Sequence, residues 1–256
     1  MEDWDGYGDF DYSYEYSYEY DEDGNLIFMS YASSHGGDDY SLEQWSESYS
    51  ADGDLIERID SDGWGNSEIR QYDEEGQLIS HIESSDWDQD GYEDQTTSQS
   101  YEYDTDGNVS YHEYRRTEYG MLSEYWVETY EYDANGEVVY RTDESDWDGD
   151  EVFDSSSSYS YQYDADGNLI FESSSSDWEA DGTPDEISET TYDSDGNVIR
   201  SYSNSNGYIT ENEYDSEGRS IYQSTSSDWD GDGMPDNTES SSYEYDEEGN
   251  VLSSVM

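Results

Sequence analysis

Residues 101–109, YEYDTDGNV, contain the pattern that decides the fold of this 256-residue chain. Tyr101 and Tyr103 alternate with a polar residue, which places both rings on one face of a β-strand. Asp104 then begins a turn and Gly107 closes it, as in a type I turn that ends in a left-handed glycine bulge. Val109 begins a second apolar segment, so the stretch predicts a β-hairpin.

The same turn unit recurs nine times along the chain, at intervals of 22 to 31 residues. Polar and tyrosine residues alternate before most of the turns, and β-branched or other apolar residues follow them. We therefore predict an all-β protein of tandem antiparallel β-hairpins, about eighteen short strands without a helix. Residues 1–256 are expected to form a single array of nine units with no separate linker. The turn glycines are Gly24, Gly53, Gly76, Gly107, Gly136, Gly167, Gly196, Gly218 and Gly249.

The unit Y-x-Y-D-x-x-G-N-L, which reads YQYDADGNL at residues 161–169, resembles the YD repeats of Rhs and teneurin-type proteins. The resemblance covers most of the chain. It implies that the hairpins follow one another in a continuous, spiralling or solenoid-like sheet. A second motif departs from typical YD repeats, because an acidic segment is inserted between many of the hairpins.

The acidic motif begins ten residues after a turn glycine and has the pattern D-x-D-x-D-G-x-x-D. It resembles the calcium loops of thrombospondin type 3 repeats, dockerins and EF-hands. Calcium takes six to eight oxygen ligands at about 2.3–2.6 Å, which carboxylates at alternating positions of a tight loop supply. The copies are DWDQDGYED (86–94), DWDGDEVFD (146–154), DWEADGTPD (177–185), DWDGDGMPD (228–236) and a degenerate DWDGYGDFD (3–11).

The resemblance implies metal ligands at motif positions 1, 3, 5 and 9, with a backbone carbonyl from position 7. We expect several Ca²⁺ ions per chain; solvated acidic turns without a fixed ion are the alternative. Glu151 replaces the glycine of position 6, and Tyr7 replaces an aspartate in the degenerate copy. The tryptophan at position 2 is expected to bury its indole against the sheet. The predicted ligands are Asp86, Asp88, Asp90, Asp94, Asp146, Asp148, Asp150, Asp154, Asp177, Glu179, Asp181, Asp185, Asp228, Asp230, Asp232 and Asp236, with Asp3, Asp5 and Asp11 as a weaker site.

Composition alone suggests a disordered chain, since the formal net charge is −63. The 30 tyrosines and 8 tryptophans argue against disorder, because many of them are periodic. We therefore expect a folded protein in which cations offset carboxylate repulsion. The lack of a basic patch argues against nucleic acid and anionic membranes as partners. The absence of cysteine excludes disulfides and thiolate chemistry.

Catalytic motifs are absent from the sequence, so we expect no enzymatic activity. His35, His81 and His112 share no spacing with a repeated acid or serine, and His81 and His112 are expected to be surface residues. No nucleophile elbow or phosphate-binding glycine loop is present. The tyrosine ladders, such as Tyr101/Tyr103, are expected to form the core; a platform for glycans is the alternative.

The two ends of the sequence match the repeat. Seven residues follow Gly249 and Asp3 is the third residue, which together reproduce the ten-residue offset. Gene duplication, closure of the chain on itself and head-to-tail association of identical copies each explain this match. Arg115 and Arg116, the only adjacent bases, are expected to contact an acidic loop of a neighbouring copy.

These features lead to the expectation of a structural subunit of a calcium-stabilised extracellular filament or surface layer. Copies would associate head to tail by β-strand complementation. The residues MEDWDGYGDF at the start lack the features of a secretory signal. The alternatives are a monomeric calcium-binding domain or a carbohydrate-binding adhesin segment. A shell fragment of an Rhs-type toxin would need many more repeats.

Overall fold

The computed structural model describes residues 12–35, 42–62, 64–205, 208–228 and 234–255. These residues form eighteen β-strands and no helix, so the described part also contains no helix suited to crossing a membrane. The strands are β1 (Tyr12–Tyr20), β2 (Leu26–His35), β3 (Leu42–Tyr49), β4 (Leu55–Ser61), β5 (Asn66–Tyr72), β6 (Leu78–Ser85), β7 (Gln95–Tyr103), β8 (Val109–Glu118), β9 (Met121–Tyr132), β10 (Val138–Asp146), β11 (Ser155–Tyr163), β12 (Leu169–Asp177), β13 (Glu186–Tyr192), β14 (Val198–Ser205), β15 (Tyr208–Tyr214), β16 (Ser220–Ser227), β17 (Asn237–Tyr245) and β18 (Val251–Val255).

The chain divides into two compact units. The first comprises Met1–Val127 and Asp146–Val152, and the second comprises Glu128–Ser145 and Phe153–Met256. In the first unit β1 to β8 pair antiparallel with their neighbours in chain order. In the second unit β10 to β18 do the same. Tandem antiparallel hairpins therefore build an open, solenoid-like sheet in each unit, which confirms the predicted fold class.

The predicted turn geometry is also confirmed, as the turn after β7 shows. The amide of Gly107 donates to the carbonyl of Asp104 at 3.1 Å, and that of Asp104 donates to the carbonyl of Asn108 at 2.8 Å. Gly107 has a φ of 89°, and the strand register shifts at Tyr103, as a glycine bulge requires. The carboxylate of Asp104 accepts the amides of Asp106 and Asn108, both at 2.9 Å, and so fixes the loop from within.

A related aspartate–glycine turn, which was not predicted from the sequence, lies between β4 and β5, where the strand register shows no bulge. The amide of Asp62 donates to the carbonyl of Asn66 at 3.2 Å. The Asp62 carboxylate accepts the amides of Trp64 at 2.8 Å and Asn66 at 3.1 Å. Gly65 has a φ of 92°, like the glycines of the other turns. The missing signal is the tyrosine before the aspartate, because Ser61 stands there.

The prediction of a tyrosine core is wrong. Val127 is the only buried hydrophobic side chain among the described residues, and the tyrosines of the ladders are half-buried. Their rings cover one another along the sheet instead: Tyr101 stacks on His112 at 4.4 Å, and Tyr114 stacks on Trp126 at 5.1 Å. A ring in such a row loses part of its contact with water without becoming buried.

Two tyrosine hydroxyls each link a hairpin to the one before it. The hydroxyl of Tyr103 donates to the carbonyl of Leu78 at 2.7 Å, and that of Tyr245 donates to the carbonyl of Ser220 at 2.8 Å. In both bonds the donor is the last residue of a strand, and the acceptor is the first residue of the preceding strand. The same bond at two turns explains why a tyrosine precedes the turn aspartate there, since an aliphatic residue has no hydroxyl to donate.

Candidate cation-binding loops and edge strands

The acidic loops lie at the ends of strands opposite to the repeated turns. The loop 86–94 joins β6 to β7, whereas the repeated turn 104–108 follows β7 at its other end. The loops 177–185 and 228–236 hold the equivalent places between β12 and β13 and between β16 and β17. Consecutive antiparallel strands impose this alternation, because the chain reverses at alternate ends of the sheet.

The carboxylate at position 1 is held inward by backbone amides of its own loop. Asp86 accepts the amides of Asp90 at 3.2 Å and Gly91 at 2.9 Å. Asp177 accepts the equivalent amides of Asp181 at 3.2 Å and Gly182 at 2.7 Å. The Asp177 residue is only 6 % exposed. The loop backbone therefore orients this carboxylate without help from any positively charged side chain.

Asp146 is held in a similar way in the loop that carries Glu151 at the glycine position, but one of its amide donors is position 4 instead of position 5. Its carboxylate accepts the amides of Gly149 at 2.7 Å and Glu151 at 2.8 Å, and the residue is fully buried. Asp148 and Asp150 each accept the amide two residues onward, from Asp150 at 3.2 Å and Val152 at 2.8 Å. With glutamate at position 6 the position-1 carboxylate is therefore still held by the loop amides and is buried.

Positions 3 and 5 complete the ligand group in the first described loop. Asp88 accepts the amide of Asp90 at 3.2 Å, and Asp90 accepts the amide of Tyr92 at 2.8 Å. One carboxylate oxygen from each of Asp86, Asp88 and Asp90 lies within 4.8 Å of the others. Two oxygens bound to one ion at about 2.4 Å lie no farther apart than this. The three residues therefore fit a hard divalent cation.

Position 9 closes the loop. Asp94 accepts the amides of Trp87 at 2.6 Å and Asp88 at 3.3 Å, and is 9 % exposed. Asp185 accepts the amide of Trp178 at 2.8 Å in the same manner. Asp94 is absent from the group of oxygens that Asp86, Asp88 and Asp90 form.

The prediction that the position-2 tryptophan buries its indole is wrong in the three loops where this residue is described; Trp4 and Trp229 lie outside the described residues. Trp87, Trp147 and Trp178 are 59 %, 63 % and 47 % exposed. The backbone amides of Trp87 and Trp178 donate hydrogen bonds to the position-9 aspartates of their loops. The amide contact fixes the backbone of position 2 without requiring a particular side chain.

Two left-handed residues shape each fully described loop, at positions 4 and 6. The φ angles are 59° and 89° for Gln89 and Gly91, 78° and 68° for Gly149 and Glu151, and 48° and 87° for Ala180 and Gly182. The glycine of the motif indicates a sharp bend at position 6 alone. Position 4 carries a glycine in only one of these three loops, so composition gave no signal for it.

The remaining predicted ligands are placed less completely. Among the described residues, no group of three carboxylates gathers around Asp177, Glu179, Asp181 and Asp185. Asp154 belongs to the second unit, where its amide donates to the carbonyl of Ser145 at 2.7 Å. Asp228 and Asp236 are described, and the Asp236 amide donates to Ser227 at 2.7 Å. The predicted ligands outside the described residues are Asp3, Asp5, Asp11, Asp230 and Asp232.

The first and last strands carry exposed hydrophobic side chains. β1 pairs with β2, and β18 pairs with β17, each as the terminal strand of its unit's described sheet. These residues are about half exposed or more. Their exposed fractions are Tyr14 54 %, Tyr16 57 %, Tyr18 49 %, Tyr20 59 %, Val251 55 %, Leu252 66 % and Val255 67 %. Edge strands with exposed apolar residues are templates for pairing with another strand.

Arg115 and Arg116 already have acidic partners in their own chain. Arg115 lies 3.7 Å from Glu151 of an acidic loop and stacks over the ring of Tyr125 at 4.7 Å. Arg116 forms an ion pair with Glu118 at 2.7 Å. A contact of these arginines with a neighbouring copy stays a prediction, and it would compete with the contacts inside the chain.

A charged network on β3 to β6 was missed by the sequence analysis. Strand register places Asp60, Glu68 and Glu83 in one row, which we call the acid row, and Arg58, Arg70 and His81 in the next, the basic row. Arg58 bonds Asp60 at 2.8 Å, and Arg70 forms an ion pair with Glu68. The two rows lie on one face, since their members are two residues apart along each strand. Such a network follows only from register, which the spacing of turns does not reveal.

The acid row borders a cavity of about 560 Å³ in the first unit. The rings of Tyr31 and Trp45 line the cavity beside the row, and their centroids lie 6.0 Å apart. Gln44 and Asn66 also line it. Aromatic rings with polar groups around them are common features of ligand sites.

No protein-family model matches the chain, and no curated protein sequence matches it. Solved structures similar to it include those described as TcdB2-TccC3-TEV (17% identity, 91% of this chain, 15% of that chain, TM-score 0.21) and TcdB2-TccC3-Cdc42 (15% identity, 93% and 18%, TM-score 0.21). A porin-like protein from Bacteroides uniformis ATCC 8492 is 11% identical over 90% of this chain and 87% of that one, with a TM-score of 0.18. The chain thus spans less than a fifth of the TcdB2-TccC3 chains, and at these TM-scores the likenesses carry no argument about function.

Proposed function

We propose that this chain is a structural repeat protein whose hairpin array is stabilised by Ca²⁺ bound in the acidic loops. The observation that carries the proposal is the convergence of Asp86, Asp88 and Asp90 within 4.8 Å of one another. Three carboxylates at this spacing repel one another, and a divalent cation between them removes the repulsion. The ligands are all oxygen atoms, which suits calcium rather than a soft metal.

Within this proposal the array is of the YD type, combined with acidic loops of the thrombospondin type 3 and dockerin kind. The support is the turn unit itself, in which the aspartate carboxylate binds the loop amides and the glycine takes a left-handed conformation. A high negative charge suits a saline, calcium-rich setting, so the proposed location is extracellular or at the cell surface.

The proposed assembly is a filament or surface layer in which β18 of one copy pairs with β1 of the next. Support comes from the exposed tyrosines of β1 and the exposed Val251, Leu252 and Val255 of β18. Pairing would bury these side chains and satisfy the outward backbone groups of both strands. An open head-to-tail contact of this kind propagates into a fibre unless its rotation closes a ring.

The experiment is to image the purified 256-residue chain and to measure its mass in solution, with Ca²⁺ and after chelation. Filaments with Ca²⁺ that disperse on chelation are expected. Leu252→Lys should prevent filaments while leaving Ca²⁺ binding unchanged, because a charge on an edge strand opposes pairing. Glu131→Lys, on an exposed residue of β9, is the control. A monomer at every concentration with Ca²⁺ bound would reject assembly and retain the calcium proposal.

Glycan binding is a second candidate, which the cavity beside Trp45 favours. Aromatic rings with carboxylate and amide neighbours suit the apolar faces and hydroxyl groups of sugars. Binding on a glycan array that Trp45→Ala abolishes and Trp64→Ala retains would support this function. Trp64 is exposed and does not line the cavity, so it is a matched control.

A further inference from the structure

The strands β5 and β6 bring together a histidine and two glutamates outside the acidic loops. Glu68 on β5 pairs directly with Glu83 on β6, and Arg70 pairs with His81. His81 and Glu83 are two residues apart on one strand, so they share a face with Glu68. Glu68 lies on a different strand from His81 and Glu83, so no sequence motif predicts this cluster.

The ligand atoms of this cluster are close enough to hold one ion. His81 Nε2 lies 2.6 Å from Glu68 Oε1 and 3.7 Å from Glu83 Oε1. One ligand atom from each residue lies within 4.8 Å of the others. The His81 and Glu68 side chains are 19 % and 25 % accessible, whereas Glu83 is 60 % accessible and reaches solvent.

We propose that Glu68, His81 and Glu83 form a binding site for a divalent transition-metal ion of the Zn²⁺ class. Imidazole nitrogen combined with two carboxylates is a donor set typical of zinc, with bonds of about 2.0–2.2 Å. Calcium, by contrast, takes oxygen ligands and gains nothing from the imidazole. The site therefore differs in metal preference from the acidic loops.

Metal binding requires Glu68 to give up its present partners, and the neighbouring charges favour this change. Without the metal, His81 and Arg70 both contact Glu68. Arg70 also lies 3.8 Å from Asp60, so it keeps an acidic partner when Glu68 turns towards the ion. His81 must present a lone pair at Nε2, so metal binding breaks its hydrogen bond to Glu68.

Access and further ligands are available on one side of the cluster. Glu68 and Glu83 line the cavity of about 560 Å³ described above. Water from this cavity can complete a tetrahedral coordination around three protein ligands. An ion held in this way would cross-link β5 and β6 and neutralise two members of the acid row.

The test is nitrogen NMR of the histidine side chains in the full chain, saturated with Ca²⁺ and titrated with Zn²⁺. The His81 Nε2 resonance is expected to shift and saturate at one equivalent of Zn²⁺. The His112 resonance should stay in place, since His112 stacks between Tyr101 and Trp126 and contacts Gln99. His81→Gln identifies the resonance. No shift of His81, or an equal shift of all histidines, overturns the proposal.

Calorimetry on a variant with little risk of misfolding gives a second test. Glu83→Gln changes a side chain that is 60 % accessible and keeps its shape, so the fold should persist. The high-affinity Zn²⁺ equivalent is expected to be lost in Glu83→Gln and retained in Glu93→Gln, which removes the same charge from an exposed loop residue. Equal Zn²⁺ binding by both variants overturns the site, whatever the result for Ca²⁺ in the loops.

Discussion

The amide of Asp86 donates a hydrogen bond of 2.9 Å to the carbonyl of Gly65. This bond ties the turn between β4 and β5 to the first ligand position of the acidic loop that follows the next hairpin turn. A Cβ atom on Gly65 would lie 2.6 Å from the carbonyl oxygen of Asp86 and 2.8 Å from its Cβ. The approach of the two backbones therefore depends on the absence of a side chain at Gly65.

Gly65→Ala should destabilise the protein more than Gly53→Ala. Both glycines have nearly the same left-handed φ, 92° and 93°, so both variants carry a backbone cost of about 1–2 kcal/mol. Only Gly65 adds a clash, because nothing lies within 4 Å of a Cβ at Gly53. Denaturant unfolding followed by circular dichroism measures both losses. Equal losses would show that the Gly65–Asp86 approach is not a constraint.

Asp88→Asn and Asp90→Asn should each weaken Ca²⁺ binding at one site and lower the melting temperature in Ca²⁺. Each variant removes a charge that the ion would compensate, and the amide is a poorer ligand than a carboxylate. Asp106→Asn is the control, because it makes the same charge change within a repeated turn. Calcium titration by calorimetry gives the stoichiometry. Binding that is unchanged in all three variants would reject this loop as a calcium site.

The nine repeated turns were predictable because each depends on contacts within five residues. Asp104, Gly107 and Asn108 close the turn by hydrogen bonds among themselves and their immediate neighbours, and the Gly107 carbonyl also accepts a bond of 3.1 Å from the Gln77 side chain. Such local chemistry repeats in the sequence and can be read from it. The eighteen strands follow directly, since each turn reverses one strand into the next.

The charged network and the exposure of the tryptophans were not predictable in this way. Asp60, Glu68 and Glu83 meet only because of the register of three strands, and register depends on the loops at both ends. The exposure of Trp87 depends on how its backbone is used, which composition does not report. The acidic loops fall between these cases: their internal bonds are local, but whether an ion occupies them is a property of the surroundings.

Stability should fall steeply when the pH drops below about 3.5, after a rise between neutral and mildly acid pH. The rise comes from protonation of carboxylates that repel one another. The fall comes from turn aspartates such as Asp104, whose pKa is lowered by the side-chain amide of Asn108 and then by its backbone amide. A lowered folded-state pKa adds stability above the unfolded value, and that stability disappears as the pH falls through the folded value.

Carbonyl-carbon NMR of the Asp104 carboxyl group isolates one turn from the rest of the titration. Asn108→Ala should raise the midpoint of Asp104 towards the ordinary value, since it removes the largest stabilising hydrogen bond of the ionised form. Asn250→Ala, which alters the equivalent turn at Asp246, should leave the Asp104 midpoint unchanged. A midpoint of Asp104 that is insensitive to Asn108→Ala would contradict this assignment.

Arg58→Gln should cost more stability than Arg200→Gln. Arg58 bonds Glu47 at 2.9 Å and Asp60 at 2.8 Å, and its guanidinium lies 5.5 Å from the centre of the Trp45 ring. Without the arginine the carboxylates of Glu47 and Asp60 repel each other, so we expect the free energy of unfolding to fall by about 1–2 kcal/mol. Arg200 makes one exposed pair with Glu211 at 3.3 Å, which is worth about 0.5 kcal/mol or less. Similar losses in urea unfolding would mean that the charged rows do not act as a network.

Tyr130 should ionise late, and Glu128→Gln should make it ionise earlier. Burial and then the hydrogen bond to Glu128, 2.8 Å long, raise the pKa of Tyr130 to about 12. The raised value means that the fold favours the neutral phenol, so this contribution to stability is present below pH 10 and is lost as the pH rises towards 12. Tyrosine ring-carbon NMR gives the midpoint. Glu131→Gln, which alters the opposite face of β9, is the control, and an equal effect of both variants would point to general charge rather than to the hydrogen bond.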